Sequence, residues 1–385
     1  MFVPFLILRN AFRHKLRTTL TMVGIVVAIV AFGLLRTVVE AWYAGVNTSS
    51  SARLMTRNAI SLVFPLPLNY AEKIRQVRGV RSVSWANWFG GVYISESNFF
   101  PQFAVDARSY LDMYPEFRIP DDQRRAFLFD KTGAVAGRKL AERYGWKIGD
   151  QIPLRGTIFP GTWTFNLRAI YDGGEAKVDE TQFLFHWSYL NETVKARFPR
   201  RGDQIGLYVV EINDPGQAAE VSEHIDATFR NSLAETLTET EKAFQLGFVA
   251  MTEAILVAVQ AVSYVIVLII MAVMANTMAM TARERYGEYA TMKAIGFSNG
   301  FVAMLIFVES VGIAIVGGIA GILLTLPLAD AFGGAMGSLF PVFFVSQETM
   351  LMQLAAAAVV GVVAALIPAW RAAHVRIVDG LRAVA

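Results

Sequence analysis

The chain has 385 residues, of which 54% are hydrophobic and only 17% are charged, whereas soluble domains usually contain ~45–50% apolar and ~25% charged residues. Its mean hydropathy of +0.42 therefore indicates an integral membrane protein. Because 35 Lys and Arg nearly balance 32 Asp and Glu, the charge gives no reason to expect a nucleic-acid partner. The absence of cysteine excludes disulfides, zinc–thiolate sites and a thiol nucleophile.

Four apolar stretches are long enough to cross a bilayer, since a spanning helix needs ~20 mostly apolar residues. They comprise residues 20–39, 255–280, 301–328 and 351–370. Basic residues collect on the cytoplasmic side of membrane proteins, and here they cluster before the first stretch, after the second and after the fourth: Arg9, Arg13, Lys15, Arg17, Arg283, Arg285, Lys293, Arg371, Arg376 and Arg382. This pattern predicts four spans with both termini in the cytoplasm.

A basic segment followed by an apolar one is also how a cleaved signal peptide begins. The apolar run of the first stretch exceeds the ~7–15 residues of a signal-peptide core, and no clean small-x-small cleavage site follows it. We therefore expect a signal anchor, which places residues 41–245 outside the cytoplasm.

Between the first two spans, short alternating patterns indicate an α+β domain. Helices are predicted from Asn69 to Gln76, at 138–144 and at 214–229, and strands at 80–86, 151–154, 162–171, 181–185 and 205–212. From Ala234 the sequence contains no glycine or proline until Gly247, and it continues into the second span. We therefore expect one long helix from about Ala234, standing partly outside the membrane as a stalk.

No catalytic centre is predicted from the sequence. Asp130-Lys131-Thr132-Gly133 matches the phosphorylated loop of P-type pumps, but it lies in the region expected outside the cytoplasm, where ATP is absent. We interpret it as a turn before a strand at 134–136. No GxxxxGK[ST] or HExxH pattern occurs, and the four histidines are far apart, so the sequence predicts no catalytic residue and no metal site.

Two features stand out within the spans. Glu309 is a carboxylate in an apolar stretch, where an ionised group costs ~2.5 kcal/mol or more unless it is paired or faces the interior. It is either a structural carboxylate bound to a neighbouring helix or a residue that takes part in coupling. Gly317 and Gly321 form a small-xxx-small pair that predicts close helix packing, within the chain or at a dimer interface.

The segment between the second and third spans is amphipathic and carries charges of both signs. Its apolar face needs a partner on the cytoplasmic side and comprises Tyr286, Tyr289, Ala290, Met292 and Ile295.

At these residues the sequence resembles the MacB/FtsX-like permease family of ABC transporters, in which a segment R-x-R-x-x-E-x-x-x-x-K-A-I-G joins the second and third spans. The matching residues are Arg283, Arg285, Glu288, Lys293, Ala294, Ile295 and Gly296. The first span, the third span with Glu309, and the C-terminal segment IPAWRAAHVRIVDGLRA are also similar to that family. The resemblance implies an α-helical membrane protein with four transmembrane helices and a large α+β extracytoplasmic domain, a MacB-like periplasmic domain, between helices 1 and 2.

The resemblance also implies a function, that of the permease subunit of an ABC transporter in a bacterial inner membrane. A separate cytoplasmic ATPase would bind ATP and Mg, because no fused nucleotide-binding domain is seen here, and this chain would hold no cofactor. Contact with the ATPase is expected at Arg283, Arg285, Glu288, Tyr289, Met292, Lys293 and Gly296. A second permease copy, identical or different, membrane lipid, and a periplasmic adaptor or lipoprotein are the other expected partners.

Three functions share this architecture. ATP-driven motion of the periplasmic domain is called mechanotransmission. We favour the hypothesis that this motion serves efflux with a periplasmic adaptor. The alternatives are lipoprotein or lipid extraction from the inner membrane and FtsX-like signalling to a cell-wall hydrolase.

The predicted organisation of the chain has nine segments. They are a cytoplasmic amphipathic helix (1–17), transmembrane helix 1 (18–40), the periplasmic α+β domain and stalk (41–245), transmembrane helix 2 (246–281), the cytoplasmic coupling segment (282–299), transmembrane helix 3 (300–328), a short periplasmic loop (329–350), transmembrane helix 4 (351–370) and a cytoplasmic tail (371–385).

Overall fold

The computed structural model describes residues 15–175, 177–337 and 340–375. Within them the chain forms two compact units. The helical unit comprises residues 15–41, 253–335 and 343–375, and the α/β unit comprises residues 42–252 together with the described part of 336–342. The predicted amphipathic helix 1–17 lies almost wholly outside the described residues, as does the tail beyond residue 375.

The helices in chain order are α1 (Lys15–Trp42), α2 (Ala44–Thr48), α3 (Tyr70–Arg75), α4 (Ala107–Met113), α5 (Asp121–Phe129), α6 (Arg138–Tyr144), α7 (Trp187–Arg197), α8 (Ala218–Thr228), α9 (Glu241–Ala250), α10 (Glu253–Glu284), α11 (Tyr286–Ala294), α12 (Asn299–Ala335) and α13 (Gln347–Ala373). The strands are β1 (Arg53–Asn58), β2 (Leu66–Pro67), β3 (Val80–Trp88), β4 (Gly91–Val92), β5 (Gln102–Val105), β6 (Phe117–Arg118), β7 (Gly133–Gly137), β8 (Gln151–Gly156), β9 (Gly161–Gly173), β10 (Phe183–His186), β11 (Gln204–Ile205), β12 (Leu207–Ile212) and β13 (Thr236–Thr240).

The four predicted spans are confirmed as helices that are long and apolar enough to cross a membrane. They are α1, α10, α12 and α13, of 28, 32, 37 and 27 residues. At ~1.5 Å per residue even the shortest is about 40 Å long, which exceeds a hydrocarbon core of ~30 Å. Ser346 caps the start of α13 by accepting a hydrogen bond from the backbone N–H of Thr349 at 3.0 Å.

The α/β unit is built on one large mixed sheet, which confirms the predicted α+β domain. The strands lie in the order β13-β1-β12-β3-β5-β10-β7-β9-β8-β4, and β6 pairs with β9. Most neighbours are antiparallel, whereas β10/β5 and β7/β9 are parallel. One apolar cluster is rich in fully buried aromatic rings, including Phe89, Phe165, Phe183 and Phe185.

The predicted stalk is wrong in two respects. Residues that were expected to start a long helix form β13 instead, because this segment pairs with β1, where Thr56 and Thr238 share a buried hydrogen bond of 3.0 Å. Helix α9 then begins after Thr240, whose hydroxyl caps it by accepting from Ala243 N–H at 3.2 Å. A turn at Met251 and Thr252 separates α9 from α10, so the path into the second span is two helices.

Candidate functional site

The candidate site begins where α10 ends and the short helix α11 starts. Arg285 lies between the two helices, with φ −104° and ψ 13°, and its side chain is 7% exposed. Its guanidinium donates to Glu309 of α12 at 2.8 Å and to Glu288 of α11 at 3.2 Å, and it lies over the ring of Tyr289 at 5.4 Å from the centroid. Three of the predicted coupling residues and the predicted intramembrane carboxylate therefore form one cluster.

The pair between Arg285 and Glu309 is buried on both sides, because the Glu309 side chain is only 6% exposed. A carboxylate in an apolar helix is costly unless an opposite charge and hydrogen bonds compensate it. The guanidinium supplies both. Glu309 thus binds Arg285, and the contact joins α12 to the α10–α11 junction.

Lys293, near the end of α11, contacts a different helix. Its ammonium donates to the backbone oxygens of Ala373 at 2.6 Å and of Val375 at 3.0 Å. The last carbonyls of a helix have no partner within the helix and attract a positive charge. Lys293 therefore fastens α11 to the end of α13, while Arg285 fastens it to α12.

Gly296 ends this segment with a backbone conformation that other residues rarely adopt. Its φ is +103°, and an added Cβ would meet nothing within 4 Å. Its N–H donates to the Lys293 carbonyl at 3.1 Å, and the N–H of Phe297 donates to the Met292 carbonyl at 3.0 Å. Glycine is therefore favoured here by the backbone angle and not by lack of space.

The outward face of α11 and of the turn after it differs from the one that the sequence predicts. Tyr289 is 1% exposed and faces the helical unit, so it is part of the apolar core. Ile295 is 70% exposed and Phe297 is 44% exposed, with Arg283 exposed and Met292 half-buried. The sequence does not predict Phe297 because it follows Gly296, where the amphipathic helical pattern ends.

A further contact at this end of the helices was not predicted. Both terminal nitrogens of Arg17, in the first turn of α1, donate to the carboxylate of Glu284 at the end of α10, each at 2.7 Å. This fork-to-fork geometry is the strongest arrangement for an arginine and a carboxylate, although the pair is partly exposed. It ties α1 to α10 one residue before Arg285.

The two packing glycines contact α1 of the same chain. A Cβ on Gly317 would lie 3.0 Å from Ile25, and one on Gly321 would lie 2.8 Å from Ile29. The absent side chains therefore let α12 approach α1 closely, as a small-xxx-small pair does in membranes.

The α/β unit contains a second buried ion cluster, around Arg53 at the start of β1. Its guanidinium donates to Glu241 at 2.8 Å and to Glu116 at 2.6 Å, and it stacks on the Tyr114 ring at 4.2 Å. Glu241 is the first residue of α9. The cluster therefore joins the chain segment that follows the first span to the segment that precedes the second.

Asp130 has a structural role, as the turn interpretation predicted. Partial burial alone would raise its pKa, but hydrogen bonds from Arg168, Thr132 and Asn166 outweigh this and lower the pKa of the carboxyl to about 2. It lies in the turn that leads into β7, which begins three residues later at Gly133. Among the described residues no group of three or more His, Asp or Glu side chains could hold a metal ion.

Comparisons with known proteins agree with this architecture. Residues 18–228 match the model of the MacB-like periplasmic core domain, and residues 261–377 match the FtsX-like permease C-terminal model. An uncharacterized ABC transporter permease of Methanocaldococcus jannaschii is 23% identical over 97% of this chain and 96% of its own length. Another, from Mycobacterium tuberculosis, is 24% identical over 63% of this chain, which spans only 28% of that relative's length.

One shorter sequence match and two solved structures were also found. The macrolide export ATP-binding/permease protein MacB 1/2 of Paracoccus denitrificans is 35% identical over 28% of this chain and 16% of its own length. The periplasmic region of MacB from Actinobacillus actinomycetemcomitans superposes with a TM-score of 0.38 at 9% identity, covering 53% of this chain and 95% of that one. For the extracellular domain of the transporter YknZ from Gram-positive bacteria the TM-score is 0.36 at 11% identity, with 49% and 100% covered.

Proposed function

The chain belongs to the ABC transporter permeases of the MacB/FtsX type, and on that premise we propose that it converts ATP hydrolysis by a separate cytoplasmic ATPase into movement of its α/β unit. The helical unit would span a bacterial inner membrane with both termini in the cytoplasm, and the α/β unit would lie outside. ATP and Mg would bind the ATPase, and two permease copies would act together. This ATP-driven movement of the outer domain is mechanotransmission, and it needs no substrate channel through this chain.

The two-sided arrangement of α11 is the observation that carries this proposal. Its inner side is fastened to α12 through Arg285 and to the end of α13 through Lys293. Its outer side and the turn after it leave Ile295 and Phe297 exposed. Because exposed apolar side chains of this kind favour a protein contact, a partner that pushes on the outer side would move the attached helices with it.

The Arg53 cluster suggests how such movement would reach the α/β unit. Two residues separate α10 from α9, and the first residue of α9 is the Glu241 that binds Arg53. Both charges are buried, at 6% and 7% exposure, and a buried pair resists separation because each charge would be left without compensation. A displacement of α9 would therefore also displace β1.

Isolation of the chain from native membrane in mild detergent tests the ATPase contact. We expect an ATPase to be recovered with the wild type and lost from the double variant Ile295→Asp/Phe297→Asp, since both side chains are exposed and their replacement leaves the core intact. Leu233→Asp is the matched control, because Leu233 is a fully exposed leucine of the α/β unit. Recovery of the ATPase with the double variant would refute this contact, and its absence from every wild-type preparation would refute the proposed function.

As the process that this movement drives, we propose efflux with a periplasmic adaptor. Support comes from the name of the Paracoccus denitrificans relative, a macrolide export protein. Co-isolation from cross-linked cells tests this assignment. An adaptor protein supports efflux, whereas a lipoprotein would indicate extraction from the membrane and a cell-wall hydrolase would indicate signalling.

A further inference from the structure

An open groove runs beside the short strand β6 of the α/β unit. Its volume is about 530 Å³, within the ~300–1,000 Å³ of typical ligand sites. Apolar side chains and charges of both signs line it, among them Leu111, Phe117, Ile119, Asp112, Arg118 and Arg124. Every residue that lines it belongs to the α/β unit. The groove is therefore separate from the proposed ATPase contact at α11.

Strand β6 is paired on one side only. It lies antiparallel to the end of β9, and no other described strand pairs with it. The Glu116 carbonyl, just before the strand, accepts a hydrogen bond from the Gly174 N–H at 2.8 Å and so points towards β9. Backbone groups of successive strand residues point to opposite sides, so those of Phe117 and Ile119 point to the free edge.

The free edge carries an unmatched backbone donor and acceptor. The Ile119 N–H has no hydrogen-bond partner in the described part of the chain. The residue opposite Phe117 in the sheet is Gly173, and its N–H donates instead to the Glu180 carboxylate at 2.7 Å. The Phe117 carbonyl and the Ile119 N–H are therefore placed to bond to the N–H and C=O of an added strand.

The groove also has one positive charge without a counter-ion. Asp112 binds Arg124. Asp172, which lines the groove as well, binds Arg138 at 2.8 and 3.1 Å. Arg118 is exposed and makes no hydrogen bond or ion pair with any residue that the structure describes. Because a guanidinium matches the two oxygens of a carboxylate, a ligand that carries a carboxylate complements this groove.

We propose that the groove binds an extended segment of a partner protein, which adds a strand to β6 and places a carboxylate on Arg118. Main-chain hydrogen bonds to Phe117 and Ile119 supply affinity, and the apolar side chains select alternate residues of the segment. Pro115 and Pro120, at the two ends of this stretch, are exposed, so the partner's chain can continue past the groove in both directions. The carboxylate is therefore that of an Asp or Glu side chain and not a chain end.

The wall of the groove is also held by the Arg53 cluster. Arg53 donates to the Met113 carbonyl at 2.8 Å and to Glu116 at 2.6 Å, and these two residues delimit the turn between α4 and β6. The same guanidinium binds Glu241 of α9. Partner binding and the proposed displacement of α9 therefore act on the same short segment, so the inference goes beyond the proposed function without depending on it.

Peptide selection on the full-length chain in lipid nanodiscs tests the proposal. Short random peptides, joined to a carrier protein at both ends, are selected for binding to the wild type and against Arg118→Glu. We expect the retained peptides to contain Asp or Glu, and Arg118→Gln to weaken their binding about tenfold to a hundredfold, because hydrogen bonds to a charged group are lost. Arg78→Gln is the matched control. Arg78 is an exposed arginine that does not line the groove, so its replacement should leave the affinity unchanged.

Backbone methylation distinguishes an added strand from contact through side chains alone. One retained peptide is synthesised with blocked ends and with a methyl group on each backbone nitrogen in turn. Binding should be lost only at alternate positions, since every second N–H of an added strand faces β6. The proposal is overturned if no peptide prefers the wild type to Arg118→Glu, if methylation is tolerated equally at every position, or if binding requires a free C-terminal carboxylate.

Discussion

The buried pair of Arg285 and Glu309 makes a quantitative prediction about the helical unit. Removal of one member of a buried ion pair typically costs ~3–5 kcal/mol, because the other charge is left uncompensated. Glu309→Leu should lie near the lower end of that range, since Arg285 keeps its contact with Glu288 at 3.2 Å. Arg285→Met should lie near the upper end, since the hydrogen bond described for the Glu309 carboxylate is the one from Arg285.

The double variant Arg285→Met/Glu309→Leu separates the charge effect from a packing effect. Replacement of a whole buried pair by apolar side chains is often neutral or stabilising, so we expect the double variant to lie within about 1 kcal/mol of the wild type. The free energy of unfolding is measured by chemical denaturation in lipid bicelles for all four proteins. If the double variant loses as much stability as the two single variants added together, the two charges do not compensate each other and the reasoning fails.

Two further changes test the packing glycines and the turn at Asp130. Gly321→Leu should destabilise the helical unit by ~1–3 kcal/mol, because even the added Cβ would approach Ile29 within 2.8 Å. Gly312→Leu is the control, because an added Cβ there meets nothing within 4 Å. It should lose less than about 1 kcal/mol in the same denaturation assay. The pKa of the Asp130 carboxyl is lowered to about 2 in the folded chain, so its contribution to stability is fully present above pH ~4 and is lost as the pH falls towards 2. Asp130→Asn should therefore lose less stability than the wild type between pH 4 and pH 2. If the free energy of unfolding changes with pH equally in both proteins, the prediction is wrong.

The spans and the class of the outer domain could be predicted from the sequence because each depends on local properties. An apolar run of ~20 residues is a sufficient signal for a spanning helix, and alternation over a few residues is a sufficient signal for a strand, as at β3. The prediction of a stalk helix was wrong because the structure of that segment depends on a distant part of the chain. Thr236 and Thr238 belong to a strand because β1, about 180 residues earlier in the chain, offers them a partner, and no local pattern records this.

The candidate site was predicted as a set of residues but not as an arrangement. Glu309 and Arg285 were each recognised, yet 24 residues separate them, and sequence spacing does not tell which faces of two helices meet. The same applies to Lys293, which contacts carbonyls 80 and 82 residues away. The sequence predicts Tyr289 on the outer face, although it is buried, because aromatic residues suit both a core and an interface.

The residue types at the two fastening points fit their different geometries. Arg285 must reach Glu309 and Glu288 and also stack on Tyr289, and a planar guanidinium with several donors in fixed directions can do all three. Lys293 meets two carbonyl oxygens at 2.6 and 3.0 Å, which suits a compact ammonium with three donors that can rotate. The R-x-R and K-A-I-G parts of the segment therefore have distinct physical roles: the second arginine holds α11 to α12, and the lysine holds it to the end of α13. The residues between and after them, above all Ile295 and Phe297, are left available for a partner.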